Sequence, residues 1–371
     1  MAIKCGDIIK VLETLAHPKH GEHWDKIGLQ VGDAAAEINR VMVTLDVTLP
    51  VIEEAVQKKV DLLVVHHTPL FNPLGEIRWD KPLGKIVRAL IKADLSLYCA
   101  HTNLDSAKGG VSDVLAQKAG LQDVRILLPN WQQKYYKLVV FVPGGYEDQV
   151  RSALGRAGAG FIGNYSDCTF QLAGLGTFRP REGTRPFIGE KDRLEKVEEF
   201  RIETIVPEEK LQDVLEVMVE SHPYEEVAYD VYPLANQGPS TGLGRIGELV
   251  KEISLQDLMD NLSAELKIDY LRYVGDINSS VKKVALCGGS GASLIKYAVK
   301  QGADVFVTGD IKYHEAQEAE SLGLALIDAG HFATENPVVE VVAQYLREAF
   351  GAEINVVVSE MNTNPFEFYK R

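Results

Sequence analysis

DLLVVHHTPLF, residues 61–71, decides how the rest of the chain is read. Leu62, Leu63, Val64 and Val65 are apolar without alternation, the pattern of a strand buried on both faces of a parallel sheet. Strands usually close on polar turn residues. This one closes on two adjacent imidazoles, His66 and His67.

Outward from that strand, residues 39–125 alternate strand and helix. NRVMVTLDV, DLLVVHH and LSLYCAHTNLD read as strands, and LPVIEEAVQKKV, KPLGKIVRALIKAD and GGVSDVLAQKAGL as helices. Residues 281–350 repeat the rhythm. VKKVALCGG and DVFVTGD are strands and LALIDAGHFATE is strand and turn, between the helices ASLIKYAVKQGA, HEAQEAESLG and NPVVEVVAQYLREAF. DLLVVHH (61–67) lies over DVFVTGD (304–310), and HTNLD (101–105) over HFATE (331–335). Each of the latter pair has a His, then a carboxylate four positions on, where a helix opens. The fold class expected is therefore α/β, a duplicated, mainly parallel α/β unit.

Residues 130–235 have another rhythm, βαββαβ, the ferredoxin-like pattern. NQGPSTGLG (236–244) is rich in Gly, Pro and Ser and reads as the hinge on the return path. The expected organisation is a discontinuous domain, 1–129 with 236–371, interrupted by an insert at 130–235.

Composition narrows the function classes. The 371 residues are 46% hydrophobic with a net charge of −14, which disfavours a sequence-independent grip on nucleic acid. No apolar run approaches the ~18 residues of a spanning helix. The opening MAIKCGDIIKVLETLAHP places Ile8, Ile9, Leu12 and Leu15 at helical spacing, an amphipathic helix rather than a signal peptide. Cys5, Cys99, Cys168 and Cys287 lie far apart without a CxxC, as expected of reduced, mostly buried thiols in a cytoplasmic protein. A thiolate zinc site is disfavoured.

Ligands in open α/β sheets gather where strands end and helices begin. The side chains there are His66, His67, His101, Asp105, Asp310, His331 and Glu335. Adjacent residues on a strand point to opposite faces, so His66 and His67 are badly placed to share one ion. Two ions roughly 3.5–4 Å apart remove that problem. Asp105 or Glu335 could bridge them, and His331 and Glu335, four apart, share a face on a helical turn. Three nitrogens and two carboxylates suit Zn, Mn, Fe or Co. An adjacent His pair is often structural, but the five together at the strand ends of a duplicated unit favour metal. His17, His20 and His23 sit in a polar loop and read as no metal site, while His222 and His314 read as surface or supporting residues. CGGSGASLIK (287–296) is either a tight turn or an anion-binding helix start; without Gly-Lys-Ser/Thr it is no Walker motif.

EHWDKIGLQVG (22–32), VVHHTPLF (64–71), AHTNLDSAKGG (100–110), GLGRIGEL (242–249), VTGDIKYHEA (307–316) and DAGHFATE (328–335) together resemble the NIF-three-like dinuclear metal proteins, often named GTP cyclohydrolase type-two homologues. The resemblance covers essentially the whole chain. It implies a PII-like insert, metal ligands at His66, His67, Asp105, His331 and Glu335, and a toroidal homohexamer. The family commonly has Asn before Trp-Asp, where this chain has His23.

The leading expectation is a metal-dependent hydrolase acting on a nucleotide-like small molecule. It would hold two divalent transition ions per chain, zinc foremost, sharing a water whose lowered pKa makes hydroxide available as nucleophile. His101 and Asp310 would transfer protons or orient a ligand imidazole. The basic residues that GTP would require are not identifiable. The rival is a non-catalytic regulatory or scaffold protein whose insert binds a partner or effector.

Overall fold

A computed structural model describes residues 2–369. The chain divides into two compact units, residues 1–131 with 241–371 and residues 132–240.

The first part of the larger unit contains α1 (Cys5–Leu15), β1 (Gly28–Val31), β2 (Arg40–Thr44), α2 (Leu49–Gln57), β3 (Leu62–Val65), α3 (Pro82–Lys92) and β4 (Ser96–Cys99). It continues with α4 (Thr102–Ser106), α5 (Val111–Lys118) and β5 (Leu121–Gln132). The smaller unit runs β6 (Tyr135–Pro143), α6 (Glu147–Arg156), β7 (Thr169–Phe178), β8 (Glu195–Pro207), α7 (Leu211–Ser221) and β9 (Tyr229–Leu234). The chain then returns through β10 (Ser240–Ser254), α8 (Leu255–Leu266), β11 (Arg272–Val274), β12 (Ser280–Ser290) and α9 (Ile295–Lys300). It ends with β13 (Val305–Gly309), α10 (Tyr313–Ser321), β14 (Ala325–Asp328), α11 (His331–Glu335), α12 (Pro337–Phe350) and β15 (Asn355–Val358).

The duplication is visible as topology. One sheet has the order β1-β4-β3-β2-β15 and another β11-β14-β13-β12-β10-β5, so β1–β4 and β11–β14 occupy matching places. In each, three central strands run parallel and a short antiparallel strand covers the edge. The two copies build separate sheets.

Strand alternation explains how both faces are buried. Val41, Val43, Leu62, Val64 and Tyr98 enter one core cluster with α1 and α12, whereas Met42, Leu63, Val65, Leu97 and Cys99 enter another with α2 and α3. In the second sheet Val284, Leu286, Val305 and Val307 face one cluster and Ala285, Phe306 and Leu326 the opposite one. The link between copies is α5. Val111 and Val114 pack into the first copy's core, and Leu115, Ala116 and Ala119 into that of the second.

Arg245 on β10 reinforces this junction. It is 3% exposed, and its guanidinium donates to both oxygens of Asp113 on α5 and to the carbonyls of Ala107, Gly242 and Gly244. β10 itself begins at Ser240, so regular structure enters the Gly-rich stretch read as a hinge.

In the smaller unit the antiparallel strands lie in the order β7-β8-β6-β9. Leu138, Val140, Val142 and Ile202 pack against Val150 and Leu154 of α6 and Val214 and Met218 of α7.

Sequence reading did not anticipate β1, β5, β11, β15 or α8, nor the long strand β10. The first four are edge or pairing strands whose burial comes from neighbours, and α8 follows directly from a long strand. Cys5, Cys99 and Cys287 are buried, Cys168 is half-buried, and all are free.

Candidate metal centre

The site lies within the larger unit, at the ends of β3, β4 and β13 and on α4 and α11. The chain bends after Val65, where His67 N donates to Leu45 O at 2.8 Å. The strict alternation of a strand therefore stops before the histidines. Both imidazoles turn the same way, with ring centroids 4.7 Å apart, rather than facing apart as alternation alone predicts.

His101 stands at the N-terminus of α4, and Asp105 projects from that helix. Gly330, at φ +85°, turns the chain into α11. That single helical turn sets His331 Nε2 3.0 Å from Glu335 Oε2. Glu335 Oε2 also lies 3.1 Å from His67 Nε2, and Oε1 lies 3.8 Å from His66 Nε2. Asp105 Oδ1 is 3.5 Å from His66 Nε2.

These side chains form three overlapping groups: His66, His67 and His101; His67, His331 and Glu335; His66, Asp105 and Glu335. Within each group the ligand-capable atoms lie within 4.8 Å of one another. All five residues proposed as ligands from the sequence are brought together. His101, expected to act behind the ligands, joins them.

Each imidazole is oriented through Nδ1. His66 Nδ1 meets Ala100 O at 2.8 Å, His67 Nδ1 meets Asp46 Oδ1 at 2.8 Å, and His101 Nδ1 meets Asp25 Oδ1 at 2.9 Å. His331 Nδ1 meets Asp310 Oδ2 at 2.7 Å. Nδ1–H donation to an oxygen fixes the tautomer that leaves Nε2 as an acceptor toward the site, the arrangement that supports metal-ligating histidines. Asp310 reaches His331 from a left-handed conformation, φ +57°, which Asp tolerates better than most residues. Asp25 and Asp46 went unrecognised in the sequence. The signal available was weak: an acid just beyond a strand in TLDV, and one inside HWDK.

The electrostatics follow. Burial opposes protonation of His67, but its hydrogen bond to Asp46 and the facing negative charge of Glu335 outweigh it and raise its pKa to about 10. The facing Glu335 carboxylate leads in raising His331 to about 9, against burial and with help from Asp310. For His66, burial is overcome by the charges of Asp105 and Glu335, which raise its pKa. Burial likewise opposes ionisation of Glu335, yet the facing imidazoles hold its pKa well below the usual carboxylate range. Asp105 is raised, chiefly by burial.

The donor set fits a divalent cation. His66 Nε2 and Glu335 Oε2 are buried without a hydrogen-bond partner. Such atoms cost about 1–3 kcal/mol each when left unpaired, a penalty that a cation between them removes. Imidazole nitrogen with carboxylate oxygen and no thiolate matches transition ions better than calcium.

The glycine-rich turn serves this cluster and is not an open anion cradle. Gly289 N donates to Thr334 Oγ1 at 3.0 Å and Gly291 N to Thr308 Oγ1 at 2.9 Å, so these backbone donors are already used. A Cβ on Gly289, at φ +62°, would stand 2.0 Å from Glu335 Oε1. Glycine is needed there because Glu335 occupies the space.

The remaining histidines lie elsewhere. His20 stacks on Trp131 with centroids 4.5 Å apart, His17 Nδ1 accepts from Lys19 N, and His314 bonds Gln317. His222 is buried rather than superficial, its Nε2 on Phe141 O at 3.0 Å and its pKa lowered by burial. None of them joins a metal-capable group among the described residues.

Imidazoles and carboxylates gathered at the strand ends of a duplicated α/β unit define a protein built around a candidate metal centre. The family model for Duf34/NIF3 (NGG1p interacting factor 3) matches residues 3–365. The chain belongs to that family. It is 45% identical over 366 residues to a Bacillus subtilis protein named GTP cyclohydrolase 1 type 2 homolog, covering 97% of each. A Mycobacterium tuberculosis protein of the same name is 37% identical over 370 residues, covering 99% of this chain and 97% of that one. The crystal structure of a Bacillus cereus protein related to NIF3 superposes with a TM-score of 0.88 at 42% identity, covering 99% of both chains. No helix among the described residues is long and apolar enough to cross a membrane.

Proposed function

We propose that this chain binds two divalent transition ions, zinc foremost, and acts as a metal-dependent hydrolase on a nucleotide-like small molecule. The observation that carries the reading is the convergence of Nε2 atoms from His66, His67 and His331 on Asp105 and Glu335, with His101 grouped beside His66 and His67, and with His66 Nε2 and Glu335 Oε2 buried and unpartnered. His66, Asp105 and Glu335 would hold one ion, and His67, His331 and Glu335 the other, with Glu335 bridging. The ions would supply Lewis acidity and a water of near-neutral pKa. Asp46, Asp25 and Asp310 hold imidazole orientation, and His101 is placed either to ligate or to move a proton.

A planar ring suits the surroundings. Trp24 and Phe71 are 47% and 42% exposed, 5.7 Å apart, and both meet His101 edge-on. Exposed aromatic faces beside a metal centre favour a substrate with a stackable base. The names of the relatives cited above point to guanine nucleotides.

The second reading, a regulatory metal protein, is favoured by the smaller unit. Its strand order supports reading it as a ferredoxin-like, PII-like insert. Phe170 and Leu172 pair with Glu203 and Arg201, away from the helix-covered face, and are 62% and 48% exposed. An uncovered apolar sheet face suits a partner.

The test is elemental analysis of metal-free and reconstituted protein, then nucleotide turnover by wild type and His67→Ala, with native mass measured beside it. Two ions, turnover, and loss of turnover in a still-assembled His67→Ala chain support the hydrolase; a homohexamer is the assembly expected. Loss of assembly in the variant, without turnover in the wild type, supports the regulatory reading.

A further inference from the structure

After β15 the chain continues alongside β2, in the same direction, in a segment that no sequence motif singled out. Ser359 N donates to Val43 O at 3.0 Å. Glu54 on α2, 6% exposed, accepts from Ser359 Oγ at 2.5 Å, from Glu360 N at 2.9 Å and from Lys58 Nζ at 2.7 Å. Lys58 also reaches Glu360 at 2.9 Å. The segment is thus tied down at residues 359–360, and beyond that anchor Thr363 Oγ1 donates to Asp46 Oδ2. The other oxygen of that carboxylate, Oδ1, is the partner of His67 Nδ1.

We propose that Thr363 is a positioning residue for the metal centre, an inference that rests on the metal-binding reading above. A carboxylate bonded through one oxygen turns easily about its broad Cβ–Cγ torsion, and the imidazole it holds turns with it. Thr363 engages the second oxygen and so fixes the carboxylate plane. Thr363, Asn362, Met361, Leu45 and Phe332 border a cavity of about 450 Å³, leaving the segment room to shift if the bond is lost. The consequence falls on the pocket of His67, His331 and Glu335 and spares that of His66, Asp105 and Glu335, because Asp46 touches only His67 of these residues. The C-terminal segment would thereby set the affinity of one ion of the pair.

The test is titration of the full, metal-free chain with Co²⁺, followed by its visible absorption, in wild type, Thr363→Val and Thr363→Ser. Valine keeps the shape and deletes the hydroxyl; serine restores it. In Thr363→Val one ion should bind as in wild type while the other binds about 10–100-fold more weakly with a changed spectrum, and Thr363→Ser should recover both. Wild-type titration and spectrum in Thr363→Val would overturn the inference. So would equal weakening of both ions with a lowered melting temperature of the metal-free chain, since that would make the segment a prop of the fold. Failure of the wild type to take up cobalt would overturn the metal-binding reading and this inference with it.

Discussion

His67 and Glu335 come from opposite copies of the duplicated unit, yet His67 Nε2 stands 3.1 Å from Glu335 Oε2. The carboxylate also faces His66 and His331, so it is the one acidic side chain shared by two of the three ligand groups. Glu335→Ala should therefore abolish uptake of both ions, whereas His331→Ala should abolish one. Elemental analysis of the purified variants reads this directly; retention of one ion by Glu335→Ala would refute the bridging role.

Asp310 should matter without touching an ion. Asp310→Asn keeps a side chain that tolerates the left-handed backbone but weakens the hold on His331 Nδ1. Metal affinity should fall about 10–100-fold, with the far-UV spectrum unchanged. Competition with a chelating dye measures it, and unchanged affinity would show that His331 is oriented by packing alone.

The response to pH should reverse on metal loading. In the metal-free chain His67 and His331, raised to about 10 and 9 from 6.5, bind protons more tightly folded than unfolded. Their stabilisation is complete below pH ~6.5 and is lost as pH rises through 9 to 10. Ligation needs neutral imidazoles, so stabilisation by the ion grows over the same interval. Melting curves of chelated and loaded protein between those limits should diverge, and parallel curves would contradict the assignment.

Gly289→Ala is expected to damage the centre through shape. The methyl group would meet Glu335 Oε1 at 2.0 Å, and the φ of +62° is itself strained for alanine, by about 1–3 kcal/mol. Glu335 must move, so metal uptake should fail in a chain that still folds. Normal uptake would mean that the turn yields instead.

Arg245 and Asp113 offer a stability test away from the ions. Asp113→Ala leaves the buried guanidinium without its charge partner, at a cost of about 3–5 kcal/mol. Urea denaturation should show it as a lowered midpoint with little change in slope.

Much of this was legible before the structure. The unbroken apolar runs at Leu62–Val65 and at residues 305–307 revealed the buried parallel strands, and the matched HTNLD and HFATE segments revealed the duplication. The cluster of candidate ligands followed because strand ends converge in such folds. Edge strands such as β1 and β11 were hidden, since Gly28–Val31 and Arg272–Val274 mix polar with apolar residues, have no fully buried position and so carry no apolar run. Asp25 and Asp46 were hidden for a different reason. Their partners, His101 and His67, are remote in sequence, and nothing local marks an acid that orients an imidazole. The bend after Val65, which turns His66 and His67 together, depends on a backbone bond to Leu45 that no periodicity encodes.

The seating of α5 between the two cores bears on how the molecule is made. On the ribosome, His66 and His67 emerge before the smaller unit, whereas the residues that complete their pocket, His331 and Glu335, emerge after it. The inserted unit, with its own core, can fold in the interval. A nascent chain that has not yet reached α11 therefore displays these histidines without the carboxylate that faces them, and the pocket is assembled only when the second copy of the unit has been made.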